Sequence, residues 1–556
     1  MTKKQRIVSL ALSAMLLAAR AGFATGDTSL NLAPLSPAFV EYASDPGAWE
    51  GLRPSPVDLR RPYLGPLSPD KRTSSRGASL PRKYDLRSQG LVTPVKDQGK
   101  GEDCWAYAAA GSMESTYLKE KGKTLDLSET HLSWFAFSGP GAFTGKVQGG
   151  GFDNNSVSLL ARWTGPVLES ATSGKSSLSN DESDYTAALH LENAYFLGLE
   201  FIDDDNLYLK PDDDTKKRLV HESGAISAGM YSGGLNTDTR YYDKSNSAWF
   251  YNGEERHPDH SVLIVGWDDD YPRTNFSAQN QPPRDGAWLI KNSWGTSFGK
   301  DGYFWISYED VGFVDGVLFL AGEADNYDKN YGYDELGWCN SANAKAGEDT
   351  AWLSNVFRST EEEYIEAVSF YATSNNASYE IYVYKALADS SDPISGTLVS
   401  QKSGKFELAG YHTVPIPRAA LDPGTRFSVV VKVTTPGYEY PAAIEMRIAN
   451  YSDNAIIEPG VSFISTDGIN WNDAVIHTVE ETQKVNVCVR AFTSREKSDG
   501  NEGKGNEDGK ASDGEDDKTD DDGKTSDGAS GGGCSAGVVA LAPLLALAVL
   551  EIRRRH

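Results

Sequence analysis

The stretch that decides the fold is KDQGKGEDCWAYAAAG, which runs from Lys96 to Gly111. Cys104 stands directly before a tryptophan, at the start of an alanine-rich run that favours a helix. We predict one helix from Cys104 to Lys121, with Gly122 as its C-terminal cap. A thiol attacks a carbonyl carbon only as the thiolate, and a helix N-terminus supplies part of the field that stabilises a thiolate. Cys104 is therefore a candidate nucleophile.

Two acidic residues, Glu102 and Asp103, directly precede this cysteine. Negative charge opposes the ionisation of a thiol and raises its pKa. A nucleophile in this position needs a histidine as its proton partner and hydrogen-bond donors for the oxyanion. Among the eight histidines, His260 stands out because it opens the buried-strand pattern HSVLIVGW.

Three blocks of the sequence carry a family resemblance: PVKDQGKGEDCWAYAAAGSMES, DHSVLIVGW and WLIKNSWGTSFGKDGYFWIS. They resemble the signature blocks of papain-like cysteine peptidases and keep the order Gln, Cys, His, Asn. The resemblance implies an α+β papain-like peptidase of two subdomains, a helical half and a β-barrel-like half, over residues 81–322. It also implies that Cys104 is the nucleophile and that His260 holds the thiolate as imidazolium and then protonates the leaving amine.

The resemblance assigns supporting roles to further residues. Asn292 would orient the His260 ring, and Gln98 would donate its side-chain amide to the oxyanion beside the Cys104 backbone N–H. Trp294 would shield the hydrogen bond between Asn292 and His260, a role that is compatible with ordinary core packing.

The segment QGGGFDNN, residues 148–155, is similar to the glycine-rich substrate strand of the family. Gly150 and Gly151 would let a peptide backbone approach and pair by β-type hydrogen bonds. Phe152 would border the pocket for the second substrate residue before the cut. A plain glycine turn is the alternative.

The nucleophile block departs from the family pattern Gln-Gly-x-Cys-Gly-Ser-Cys-Trp. Gly101 replaces the first cysteine, so the usual disulfide across the cleft cannot form, and Glu102 and Asp103 replace a glycine and a serine. Our hypothesis is that Glu102, on the lip of the first specificity pocket, favours Lys or Arg in the residue before the cut. In the alternative, both acids face solvent. An inactive pseudo-peptidase is a further alternative.

The second half of the chain has an all-β pattern. Runs such as YEIYVYKA and RFSVVVKVTT predict a β-sandwich over residues 326–494. This part resembles the lectin-like domain that follows papain-like peptidase domains in bacterial and archaeal surface proteins. Its aromatic residues Tyr438, Tyr440 and Trp471 either stack on surface glycans or belong to the packing. Cys339 and Cys488 lie near its two ends and either pair or remain two buried thiols.

The two ends of the chain have patterns typical of targeting signals. Residues 1–24 combine a basic start, a short apolar run and a small-x-small cleavage site, which predicts a signal peptide. Residues 25–80 are interpreted as a pro-region or N-terminal arm, and residues 495–530 as a disordered acidic linker. Residues 531–556 resemble the Synergist-type C-terminal sorting signal, and a plain membrane anchor is the alternative. We therefore expect secretion across the inner membrane and a place at the cell envelope or surface.

Composition limits the function classes. The 556 residues carry a formal net charge of −26, which argues against nucleic acid as a partner. We expect no cofactor, no metal and a monomer. The leading hypothesis is an exported cysteine endopeptidase that cleaves protein or peptide substrates through a Cys104 acyl-enzyme. The alternative is a surface protein that binds glycans or proteins, with the peptidase fold as a scaffold or self-processing unit. Transpeptidase or amidase chemistry also stays open.

Overall fold

The computed structural model describes residues 30–49, 51–58, 80–175, 177–201, 209–211, 213–253, 257–477 and 482–496. The predicted signal peptide and C-terminal sorting segment lie outside these residues, as do parts of the predicted pro-region and nearly all of the acidic linker. Within the described ranges, no helix combines the length and apolar character that a membrane span requires.

The described α-helices are short apart from one. They are α1 (Pro37–Ser44), α2 (Cys104–Lys121), α3 (Glu129–Phe137), α4 (Asp153–Ala161) and α5 (Asp213–Glu222). The strands up to the end of the first domain are β1 (Asn31–Leu32), β2 (Lys83–Asp85), β3 (Leu189–Phe196), β4 (Leu199–Phe201), β5 (Leu209–Pro211), β6 (Ile226–Met230), β7 (Tyr242–Asp243), β8 (Ala248–Trp249), β9 (His260–Asp268), β10 (Ala287–Lys291), β11 (Tyr303–Ser307) and β12 (Phe313–Glu323).

The rest of the described chain is built from strands. They are β13 (Lys329–Tyr331), β14 (Asn340–Asn343), β15 (Thr350–Arg358), β16 (Glu363–Ala372), β17 (Ser378–Lys385), β18 (Thr397–Lys405), β19 (Gly410–Leu421), β20 (Arg426–Thr434), β21 (Ala442–Glu445), β22 (Ser462–Ser465), β23 (Asn472–Asp473), β24 (Val475–His477), β25 (Thr482–Lys484), β26 (Asn486–Val487) and β27 (Val489–Ser494).

Helix α2 occupies the residues predicted for it and is buried over most of its length. Gly122 closes it with φ +68°, the left-handed conformation that a glycine cap supplies. A Cβ at Gly111 would lie 2.4 Å from Cδ1 of Leu263 on β9, so any larger residue would force this leucine side chain to move. The glycine lets the helix approach this strand closely.

The sheet of the first domain places two candidate residues at one edge. Strands β9 and β10 are antiparallel neighbours, with Leu263 opposite Lys291. Strand β9 begins at His260, and β10 ends one residue before Asn292. Antiparallel pairing therefore puts the start of one strand beside the end of the other.

The C-terminal domain is a two-layer β structure, as predicted. Its six-stranded sheet has the order β18-β17-β20-β15-β22-β23. The second layer, β13-β27-β16-β19, continues into the first domain, because residues 410–412 of β19 pair with residues 193–195 of β3. Gly410 permits the junction, since a Cβ there would lie 2.0 Å from the carbonyl oxygen of Ala194. The two domains thus share one hydrogen-bonded sheet.

The described part of the predicted N-terminal arm, residues 30–49 and 51–58, is here called the arm and contacts both domains. Strand β1 adds to the edge of β14, with Asn31 opposite Asn343. Helix α1 places Phe39 and Tyr42 against Phe152 of the first domain. The Phe39 ring also packs edge-on against Tyr451 of the second domain at 5.9 Å.

The structure settles two alternatives in the C-terminal domain. Cys339 and Cys488 are free and buried, and their N–H groups donate to Ile444 and Ala443 on either side of β21. Strands that flank a third strand lie about 10 Å apart, beyond the roughly 7 Å between Cα atoms that a disulfide spans. The side chain of Tyr438 is only 4% exposed. It is therefore not an exposed stacking platform, whereas Tyr440 and Trp471 are half-buried.

Candidate active site

The thiol of Cys104 lies at the N-terminus of α2 and is almost completely buried. Its Sγ accepts a hydrogen bond from the backbone N–H of Ser261 at 3.3 Å. Since Ser261 follows His260 on β9, this contact brings the start of the strand to the nucleophile. Among the described residues, the thiol makes no hydrogen bond to the His260 ring.

His260 and Asn292 form the pair that the family resemblance implies. The distance between His260 Nε2 and Asn292 Oδ1 is 2.8 Å. This bond leaves Nδ1 as the ring nitrogen that can exchange a proton with a thiol. The Trp294 ring lies 4.8 Å from the His260 ring, between centroids. Both partners of the hydrogen bond are buried, with exposures of 4% and 2%.

Gln98 is joined to this pair through Ser293. The side-chain Nε2 of Gln98 donates to the carbonyl oxygen of Gly101 at 2.7 Å, and its Oε1 accepts from Ser293 Oγ at 2.5 Å. The N–H of Ser293 donates to Asn292 Oδ1 at 2.8 Å. An amide nitrogen carries two N–H donors, so Gln98 keeps one for an oxyanion. Sequence reasoning missed Ser293, whose sole signal is its place between Asn292 and Trp294.

The two acids before the nucleophile occupy different environments. Asp103 is 4% exposed, which excludes the alternative that both acids face solvent. Burial raises the pKa of its carboxyl to about 6. Glu102 is half-buried, and its Oε2 accepts the N–H of Gly150 at 3.1 Å. Glu102 therefore ties the nucleophile loop to the predicted substrate strand.

Burial dominates the electrostatics of the thiol and the imidazole. It raises the pKa of Cys104 to about 12, and the charge of Asp103 adds to this rise, while the Ser261 N–H opposes it. It lowers the pKa of His260 to about 4, against the effect of the hydrogen bond to Asn292. At neutral pH, both groups are therefore uncharged in this form of the chain.

The arm covers the thiol. Gly151 donates its N–H to Gly51 O at 3.0 Å and accepts the N–H of Arg53 at 2.7 Å. Leu52 donates to the carbonyl oxygen of Asp259 at 2.9 Å. Both backbone groups of Gly151 thus pair with the chain's own arm, in the β-type manner predicted for a substrate.

Gly51 fits where other residues would not. Its φ is +65°, and a Cβ there would lie 2.1 Å from the carbonyl oxygen of Asp259 and 3.9 Å from Cys104 Sγ. Only glycine adopts this conformation and closeness without strain. Sequence reasoning missed this residue, because nothing in its local pattern shows the contact.

Phe152 does not line an open pocket in this structure. Its side chain is fully buried. The ring packs edge-on against Tyr42 of the arm and Tyr451 of the C-terminal domain, at 5.7 and 4.7 Å. The arm and the C-terminal domain together cover the position that was predicted to border the second specificity pocket.

Two family profiles match the chain: the papain family cysteine proteases over residues 80–315 and the lectin-like domain over residues 330–493. The thiol protease aleurain of Arabidopsis thaliana is 29% identical over 41% of the chain and 56% of the relative. Cathepsin K of Gallus gallus is 30% identical over 40% of the chain and 58% of the relative. The chain thus spans less than two thirds of the length of these relatives.

Two solved structures share the fold over most of the chain. One is of the cysteine protease and lectin-like domains of Cwp84, a surface layer associated protein of Clostridium difficile. It covers 84% of the chain and 98% of its own length, at 22% identity and a TM-score of 0.66. The other, of Cwp84 after propeptide cleavage, covers 74% of the chain and 99% of its own length, at 24% identity and a TM-score of 0.60.

Proposed function

We propose that this chain, a papain-family cysteine protease domain joined to a lectin-like domain, is a cysteine endopeptidase that hydrolyses peptide bonds through an acyl-enzyme on Cys104. The observation that carries the proposal is the buried bond between His260 and Asn292 beside the residue whose N–H holds the thiol. Three groups that act in acyl transfer meet there: a nucleophile, a base and a group that orients the base.

The geometry supports a two-step reaction. His260 takes the proton of Cys104, and the thiolate attacks the peptide carbonyl. The oxyanion accepts hydrogen bonds from the Gln98 side chain and from the Cys104 backbone N–H, which lies in the first helical turn and has no partner within the helix. The His260 imidazolium then protonates the leaving amine. In the second step, water gives a proton to His260 and attacks the thioester carbon. The C–S bond then breaks, the carboxylic acid product leaves, and Cys104 regains its proton from His260.

The uncut chain is latent in this proposal. The arm occupies Gly151 and covers the thiol, so a substrate cannot reach either of them. Release of the arm also admits water to the cleft. Since burial is the main cause of both pKa shifts, hydration lowers the pKa of Cys104 and raises that of His260. The ion pair that attacks a substrate then becomes accessible near neutral pH.

Glu102 gives this enzyme a preference for Lys or Arg in the substrate residue before the cut. Its carboxylate is held beside Gly150 at the entrance to the cleft. The arm itself places a basic side chain there, since a Cβ on Gly150 would lie 2.9 Å from Arg53 Nε. Profiling a peptide library with the wild type and Glu102→Gln tests this proposal. Equal rates for acidic and basic residues in the wild type would count against it.

The proposed location is the cell envelope. Two sequence predictions support it: the signal peptide and the C-terminal sorting segment, both outside the described residues. The solved relative Cwp84 is described as surface layer associated. Cell fractionation with an antibody against the protease domain tests the location, and a purely cytoplasmic signal would refute it.

A binding protein for surface glycans or proteins is the second candidate, because the chain carries a lectin-like domain. Labelling with iodoacetamide at neutral pH separates the two functions. After release of the arm by limited proteolysis, the endopeptidase proposal expects selective labelling of Cys104 that His260→Ala abolishes. His412→Ala is the control, because it removes an equally buried histidine from the C-terminal domain. An unlabelled Cys104 in the arm-free wild type would favour the binding function.

A further inference from the structure

The nucleophile loop, residues 98–103, and the predicted substrate strand, residues 148–151, lie beside each other without a covalent link. Among the described residues, Cys104 is the only cysteine of the first domain, and it is free. Gly150 and Gly151 are buried. Buried backbone N–H and C=O groups in native proteins are almost always paired. The partners of this strand therefore show what holds it in place.

Glu102 pairs with the substrate strand at two points. Its backbone N–H donates to the carbonyl oxygen of Gln148 at 3.0 Å, and its Oε2 accepts the N–H of Gly150 at 3.1 Å. The next residue, Gly151, directs its own N–H and C=O to the arm, where a substrate backbone is expected to pair. Glu102 thus binds the strand directly before the residue that a substrate would use.

Asp103 supports the same strand through Ser133 of α3. Ser133 is fully buried, and its Oγ accepts the N–H of Gln148 at 2.8 Å. The Ser133 hydroxyl also donates to the Asp103 carboxyl and opposes the rise in its pKa that burial causes. This carboxyl lies in the space that a side chain at position 101 would fill, since a Cβ on Gly101 would lie 2.5 Å from Asp103 Oδ1. Glycine at 101 and aspartate at 103 are therefore complementary.

We propose that Glu102 is a positioning residue that fixes the substrate strand relative to Cys104, and that Ser133 supports it. The nucleophile loop and the strand then form one hydrogen-bonded unit. A peptide that pairs with Gly151 is held by this unit with its scissile bond at the thiol. The inference rests on the proposed endopeptidase function, and it gives Glu102 a role beyond the charge that it presents to the substrate.

The variants Glu102→Ala and Glu102→Gln separate the hydrogen bond from the charge. Alanine removes the acceptor of the Gly150 N–H, whereas glutamine keeps an oxygen acceptor on a side chain of the same length. The assay uses the arm-free enzyme and a peptide with a neutral residue before the cut. We expect kcat of Glu102→Ala to fall about tenfold with KM nearly unchanged, because the reacting groups lose their alignment. Glu102→Gln should retain the kcat of the wild type.

Asp85→Ala is the matched control. Asp85 is half-buried like Glu102, and its carboxylate also accepts a backbone N–H, that of Arg87 at 2.9 Å. It pairs with Gly266, toward the other end of β9 from His260. Its kcat should equal that of the wild type. In every variant, kcat is normalised to the active sites that an epoxide thiol reagent titrates, so that a loss of folded protein does not count.

Two further measurements test the same strand. Ser133→Ala removes the acceptor of the Gln148 N–H, so its kcat should fall in the same direction as that of Glu102→Ala. Hydrogen–deuterium exchange gives a readout that does not depend on activity. The N–H of Gly150 should exchange faster in Glu102→Ala than in the wild type and in Glu102→Gln, because only alanine leaves it without its acceptor.

The proposal is overturned if Glu102→Ala keeps the kcat of the wild type, or if Glu102→Gln loses as much kcat as Glu102→Ala. The second result would assign the whole effect to charge. If the arm-free wild type cleaves no peptide, the endopeptidase function fails. The exchange rate of the Gly150 N–H then decides alone whether Glu102 holds the strand.

Discussion

Substitution of Gly51 by alanine should activate the uncut chain. A Cβ at this position would lie 2.1 Å from the carbonyl oxygen of Asp259, so the arm must leave the cleft locally. Three backbone hydrogen bonds are then lost, those between Gly151 and Gly51, Arg53 and Gly151, and Leu52 and Asp259. At about 1 kcal/mol each, the bonds contribute about 3 kcal/mol. This is roughly a 100-fold increase in the open population.

The assay is the rate at which iodoacetamide alkylates Cys104 in the uncut protein at neutral pH. Gly47→Ala is the control within the same arm, because the nearest atom to a Cβ there lies at 3.8 Å and its φ is not positive. We expect a rate for Gly51→Ala that is one to two orders of magnitude above wild type, and an unchanged rate for Gly47→Ala. Equal rates for Gly51→Ala, Gly47→Ala and wild type would refute the view that the arm controls access to the thiol.

Three further predictions follow from burial and sheet continuity. The alkylation rate of the uncut wild type should stay low at neutral pH and rise steeply only at strongly alkaline pH, because the pKa of Cys104 is about 12. Release of the arm should shift this pH profile to lower pH. A pH profile that does not move would contradict the role given to burial. The pKa of Asp103 is about 6 in the folded chain, above its ordinary value of 3.8, so its contribution to stability is full below about pH 4 and is lost as the pH rises through 6. Asp103→Asn should therefore gain about 2–3 kcal/mol over wild type between pH 4 and pH 7.5 in urea unfolding, and a pH-independent difference would contradict the shift. Gly410→Ala should lower the free energy of unfolding by at least about 2 kcal/mol. The substitution has two costs: backbone strain, and a steric clash of the new Cβ at the junction between the domains. Gly424→Ala, with φ +72° and open space around it, should cost only the strain of about 1 kcal/mol, and equal losses for the two variants would argue against the shared sheet.

Sequence patterns correctly predicted the helix and the strands whose formation depends on neighbouring residues. Helix α2 begins at Cys104 and ends before Gly122 because an alanine-rich run and a left-handed glycine cap are properties of neighbouring residues. The apolar runs after His260 and before Asn292 likewise predicted buried strands. The resemblance to papain-like peptidases supplied the pairing of these two residues, which no periodicity contains. In the structure, His260 Nε2 and Asn292 Oδ1 lie 2.8 Å apart.

The features that the sequence did not predict depend on contacts between distant residues. The sequence of the arm has no periodic pattern that would predict its structure. The arm is held instead by contacts with strand β14, with Phe152 and with Gly151 in the cleft. Alternation along β19 shows which side chains are buried, and it does not show that β3 is the neighbouring strand. The burial of Asp103 was not predicted either, because a charged residue in a loop is ordinarily exposed.

The most direct test of the central claim is intact-protein mass spectrometry of the arm-free enzyme during turnover of a peptide ester. An acyl-enzyme mechanism predicts a transient mass increase equal to the acyl group, located on Cys104 by peptide mapping and absent from Cys104→Ala. Hydrolysis that persists in Cys104→Ala, or turnover by the wild type with the acyl group on another residue, would contradict the assignment of Cys104 as the nucleophile.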